Sequence, residues 1–145
     1  GGGSIKTLAR SSAHNLCDEG TPLCIIAVVY GQTTAQRSPQ IAQAQKVLED
    51  VQARAKLRQK GRNSAEVKAP AFFSIVDAGT QPTFVAGFGL PPSNPGPIVI
   101  AYKPKRSRWI RHYGPLEPDA VLMFVSEVLS GDRMLTALPG EPELL

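Results

Sequence analysis

Cysteine is nearly absent from this chain: two residues in 145, Cys17 and Cys24, too far apart to form a Cys-x-x-Cys pair. Histidine is as scarce, with only His14 and His112. A zinc site would need both histidines and both cysteines in one place, so no metal is expected. Aromatic residues make up 6% of the chain, and the interleaved rings on which a single-strand binder stacks bases are mostly lacking. No Gly-x-Ser-x-Gly elbow, phosphate loop or dinucleotide fingerprint occurs, so no cofactor is expected. Gly87-Phe88-Gly89 stands before prolines rather than before a helix and reads as a turn. No apolar run approaches the ~20 residues of a membrane span, and no membrane partner is expected.

What remains is 42% hydrophobic and 19% charged. That suits one ordinary domain with a core large enough to fold without metal or disulfide. Gly1-Gly2-Gly3-Ser4 reads as a linker or cloning scar, with no secretory signal. The end, Glu143-Leu144-Leu145, carries no retention signal of the Lys-Asp-Glu-Leu type, consistent with a piece of a longer protein. The net charge of +4 is unevenly spread. Six basic residues lie between Arg54 and Lys68, five between Lys103 and Arg111, and the last thirty residues lean acidic. Such patches suit nucleic acid or an acidic partner. They equally suit cations at a helix C-terminus and an edge hairpin defended by Lys and Arg. The second reading is preferred, and nucleic acid is not an expected partner.

Leu23 to Tyr30 is a continuous apolar, largely β-branched run, the pattern of a strand buried on both faces. Before it, Ile5 to Leu8 suits a short edge strand, and Ser11 to Leu16 one or two helical turns with Ser11 or Ser12 as N-cap. After it, Ser38-Pro39 predicts a helix start, Ser as N-cap and Pro in the first turn. Ile41, Ala44, Leu48, Val51 and Ala55 then form one apolar stripe as far as about Lys60. Ala71 to Asp77 predicts a second buried strand, parallel to the first because a long helix joins them. A single turn of helix is expected near Gln81 to Val85. The segment Pro91 to Pro97 cannot be regular structure. Ile98 to Tyr102 and Arg108 to Tyr113 then make a hairpin. A last helix starts near Glu117-Pro118-Asp119 and closes at Gly131. The tail 134–145, rich in Pro and Glu, is expected to be flexible. The order gives an α/β domain over residues 5–133, with a mixed central sheet of about five strands and helices on both faces.

This order, and four segments in it, resemble the protein disulfide isomerase family. The segments are Cys17 to Val29, Asp77-Ala78-Gly79-Thr80-Gln81, Gly87-Phe88-Gly89, and Val121 to Gly131 after the hairpin. The nearest resemblance is to the non-catalytic, C-terminal thioredoxin-like domain of isomerases with two preceding catalytic domains. In thioredoxin-like domains the redox Cys-x-x-Cys follows the buried strand. Here that position reads Gly31-Gln32-Thr33-Thr34-Ala35-Gln36-Arg37, so no catalytic residue is assigned.

The resemblance implies a thioredoxin-like fold and a role in oxidative protein folding in the endoplasmic reticulum lumen. There the domain would bind unfolded or misfolded client polypeptide, or hold the catalytic domains of the same isomerase in place. The alternatives are a redox-active domain using Cys17 and Cys24, and a basic adaptor. For the two cysteines an oxidising compartment favours a structural disulfide, stabilising by roughly 2–3 kcal/mol in the loop-entropy model. An exchange-active pair and two free thiols remain open. The resemblance also makes Pro97 a cis-proline candidate. Phe84, Phe88, Leu90 and Tyr102 are client-binding candidates, with core packing as the alternative.

Overall fold

A computed structural model describes residues 5–60 and 71–145, with residues 56–60 as backbone only. The central strand β2, Cys24–Val29, is buried at every position. On one side it pairs in parallel with β3, Phe72–Asp77, and β3 pairs in parallel with the short edge strand β1, Lys6–Thr7. On the other side it pairs antiparallel with β4, Ile98–Lys103, which forms a hairpin with β5, Arg108–His112. Ser107 turns that hairpin in the left-handed region at φ 51°. The strand order is β1-β3-β2-β4-β5, with a sixth strand, β6, Thr136–Ala137, at the far edge beside β5.

The period of two along each strand divides the core. Ile25, Ala27, Val29, Phe73, Ile75, Val99 and Ala101 face one way, against Ala44, Val47, Leu48 and Val51 of helix α2, Thr34–Lys60, and Val121, Phe124, Val125 and Val128 of α4, Pro118–Ser130. Cys24, Ile26, Val28, Val76, Ile98 and Ile100 face the other way. They meet α1, Ala13–Leu16, and α3, Pro82–Gly87. Fully burying each such aliphatic side chain is worth about 1.5–3 kcal/mol. At the end of α4, Gly131 takes φ 83° and the Asp132 amide donates to the Glu127 carbonyl. That six-to-one bond satisfies a carbonyl the helix would otherwise leave open.

Three expectations are corrected. Helix α2 begins at Thr34, not at Ser38-Pro39, and Pro39 lies inside it. Thr33 Oγ1 accepts from the Gln36 amide, and Gln36 Oε1 accepts from the Gln32 amide. These two side-chain bonds at the helix start outweigh the bond that Pro39 cannot make with the Ala35 carbonyl. Ser12 precedes α1 but does not cap it with its side chain. Its Oγ instead accepts from the Ala9 amide and donates to the Thr7 carbonyl.

The tail is not a loose end. Thr136–Ala137 forms a sixth strand, β6, antiparallel to β5. The chain then runs back over the α3 face, with Leu138 and Leu144 packed against the core there. An open edge on β5 and half-exposed apolar surface beside it give the tail a place to bind.

Candidate functional site

The C-terminal ends of β2 and β3 and the approach to β4 enclose a cleft of about 770 Å³. Its walls come from Tyr30 to Gln32, the first turn of α2, Ala78-Gly79 and Pro92 to Pro95. Tyr30 forms the floor. It is 2% exposed, its amide donates to Gln40 Oε1, and its hydroxyl donates to the Pro91 carbonyl at 2.9 Å. Burial pushes this phenol up to about 12, against the opposing pull of the Arg111 charge. The hydroxyl therefore serves as a neutral donor that fixes the start of the Pro-rich loop.

Arg37 crosses from α2 to the end of β3. Its Nε pairs with Asp77 Oδ2 at 3.0 Å and its Nη1 donates to the Gly31 carbonyl. Asp77 Oδ1 accepts from the Gly79 amide. Gly31 has φ 147°, and a Cβ there would meet Arg37 Cγ and Gln36 Cβ at 2.9 Å. Only glycine fits both that backbone and that approach. The ion pair is largely shielded, with side chains 21% and 13% exposed. Losing either partner would leave a poorly hydrated charge. The segment Gly31 to Arg37, which contains no thiol, thus ends in a locked ion pair with β3. The cleft is lined by the polar side chains of Gln32, Gln36, Ser93 and Asn94, of which Gln36 Oε1 and Asn94 Nδ2 already bond within the chain.

Cys17 and Cys24 are joined in a disulfide, with Cα atoms 5.9 Å apart. They are 5% and 0% exposed. Cys24 opens β2 and the cleft lies beyond its far end, so roughly 20 Å of strand separates them. Within the closed loop, Asp18 accepts from the Gly20 amide and Thr21 Oγ1 donates to Asp18 Oδ1.

Pro97 is corrected: the described residues contain no cis peptide bond. Asn94 Nδ2 donates to the Gly96 carbonyl at 2.7 Å, which turns the chain into β4 while Pro97 keeps the intrinsically preferred trans isomer. The proposed client-binding cluster is corrected as well. Phe84, Phe88 and Leu90 are 3%, 1% and 7% exposed. Phe84 and Phe88 lie one helical turn apart and meet edge to face at 5.1 Å. Phe88 also meets Tyr102 at 4.9 Å and Trp109 at 5.4 Å. The structure does bring these residues together, but as core. Tyr102 is half-buried, and burial, then the charge of Glu19, raises its phenol.

The remaining candidates do not converge. His14 lies in α1, whereas His112 lies on the opposite side of the sheet against Phe124. Most of the basic stretch Arg54 to Lys68 lies outside the described residues. Its first member, Arg54, bridges Asp50 and Asp119. Lys105, Arg106 and Arg108 are exposed at the hairpin tip, and Arg111 instead lies over the Tyr113 ring at 5.0 Å. Sequence reasoning missed Tyr30, Arg37 and Asp77. The signal was present: an acidic residue ending a buried strand, then Ala-Gly, opposite a glycine that ends the neighbouring strand.

The fold is thioredoxin-like, a mixed sheet with helices on both faces. It matches a solved structure described as the human ERp44 zinc-bound form, with a TM-score of 0.55 and 9% identity over 86% of this chain and 30% of that one. In sequence the chain is 24% identical over 141 residues to the DnaJ protein ERDJ3A of Oryza sativa subsp. japonica. That alignment takes in 97% of this chain and 23% of the rice protein. The chain thus spans less than a third of either protein. No protein-family model matches it.

Proposed function

We propose that this is a thiol-inert thioredoxin-like domain of a protein disulfide isomerase-like protein, and that it binds unfolded polypeptide during oxidative folding in the endoplasmic reticulum lumen. The observation that carries the reading is the Arg37–Asp77 ion pair beside a redox-pair position that holds no cysteine. The chain's two cysteines are tied together in the core, at the other end of β2. The cleft supports binding of main chain, since its walls carry the amide and hydroxyl side chains of Gln32, Gln36, Ser93 and Asn94, and its one charged side chain, Arg37, is paired with Asp77. The compartment is supported by the two similar proteins, both of the endoplasmic reticulum.

Titration with a carboxymethylated, permanently unfolded protein tests this reading. We expect saturable binding at micromolar or weaker affinity, with amide shifts at residues 30–37, 78–79 and 93–94. Affinity should change less than about twofold between low and high salt, because no unpaired cationic cluster lines the cleft. Contacts mapped to Lys103–Arg111 that weaken steeply with salt would favour the adaptor instead.

A further inference from the structure

The tail lies on the domain as a bound peptide would. Its contacts are largely main chain to main chain. The Leu138 amide donates to the Ser107 carbonyl, the Gly140 amide to the Gly87 carbonyl, and the Arg10 amide to the Leu145 carbonyl. Gln81, 4% exposed, clamps the last residue with its side-chain amide. Its Nε2 donates to the Leu145 carbonyl at 3.2 Å and its Oε1 accepts from the Leu145 amide at 2.8 Å. A carboxamide used this way imitates a neighbouring β-strand and reads no side chain.

Two leucines supply the apolar part. Leu138 and Leu144 pack against the cluster that contains Phe84, Phe88, Tyr102 and Trp109. Between them the backbone of Glu141 and Pro142 lies directly on Gly87, where a Cβ would overlap it. Gly140 approaches the same residue, a Cβ there meeting the Gly87 carbonyl at 3.4 Å. The tail is otherwise exposed: Pro139, Gly140, Glu141, Glu143 and Leu145 face water.

We propose that residues 138–145 are a displaceable strap, an intramolecular ligand that closes a peptide groove between Arg10, α3 and the β4–β5 hairpin. When the strap lifts, an extended segment of a partner polypeptide takes its place, with leucine-like side chains six residues apart in the seats of Leu138 and Leu144. The groove suits an extended chain because its polar contacts are met by any backbone, and Gly87 admits that backbone at a spacing no other residue allows. Because the strap is covalently tethered, its high effective concentration keeps the groove closed to weak competitors.

The test uses three versions of the 145-residue chain and one probe, a labelled synthetic peptide of residues 136–145. In Leu138→Ser/Leu144→Ser the strap loses both anchors while the groove is untouched. In Gly87→Ala the strap is pushed off, and the same methyl blocks any peptide. We expect fast hydrogen exchange over 138–145 in both variants, with unchanged far-ultraviolet dichroism. The peptide should bind the double variant at least tenfold more tightly than it binds the wild type or Gly87→Ala. Exchange that stays slow in both variants would overturn the proposal. So would equal peptide binding by all three proteins, or binding by none with the strap released. Release that yields only dimers with exchanged straps would also overturn it, in favour of a second copy as the occupant. None of these outcomes depends on client binding in the cleft.

Discussion

Replacing Phe88 by alanine should lower the unfolding free energy by about 3–5 kcal/mol, the usual range for removing a buried aromatic ring. In a chain of this length that is a fall in midpoint temperature of roughly 10 °C or more. The ring is 1% exposed and touches three others, so its loss removes both buried area and edge-to-face contacts. The site is poorly able to collapse, because the backbone on either side is fixed. Gly89, at φ 72°, holds the turn, and the Leu90 amide is bonded to the Val85 carbonyl. Thermal unfolding of Phe88→Ala against wild type reads the effect. A loss under about 0.5 kcal/mol, the range of surface substitutions, would favour the client-binding alternative for Phe88 over core packing.

Removing the disulfide should cost less and leave the protein folded. In the loop-entropy model a bridge closing so short a loop contributes roughly 2–3 kcal/mol. Cys17→Ala/Cys24→Ala should therefore shift the denaturant midpoint down and leave the slope nearly unchanged, since the core on both faces of the sheet persists. Part of the loop's order is independent of sulfur, through the Asp18–Thr21 hydrogen bonds. In the native wild type both cysteines should resist reductant and alkylation, because neither sulfur is accessible without opening the end of β2. A variant that fails to fold, or a native disulfide reduced within seconds, would contradict this account.

Periodicity and punctuation made most of the fold legible. The uninterrupted run of β2 and the stripe of α2 could each be satisfied by only one arrangement, a strand covered on both faces and a helix lying along the sheet. Signals carried by single residues were less decisive. Ser38-Pro39 has the chemistry of a helix start, yet the Thr33–Gln36 cap lies five residues earlier and its bonds outweigh a proline within the second turn. For Phe88, between two glycines, the sequence left client binding and core packing equally open. The left-handed turn at Gly89, φ 72°, carries the chain on while the Phe88 ring stays in the core. Pro97 followed a family expectation, and the local bond from Asn94 to Gly96 made a cis bond unnecessary. The tail's composition hid its β pairing, because its stability comes from a partner edge more than 25 residues away in sequence. For Asp77 the sequence held a local signal, but its pairing with Arg37 was not legible, because it joins two elements that only the parallel pairing of β2 and β3 brings together.

The central claim is that a thioredoxin-like fold here carries no working thiol. Reduction of insulin by the intact chain, with dithiothreitol or glutathione as electron donor, tests it most directly. The account predicts turnover at the uncatalysed background for wild type and for Cys17→Ala/Cys24→Ala alike. Turnover clearly above background in wild type, lost in the cysteine variant while that variant stays folded, would contradict it.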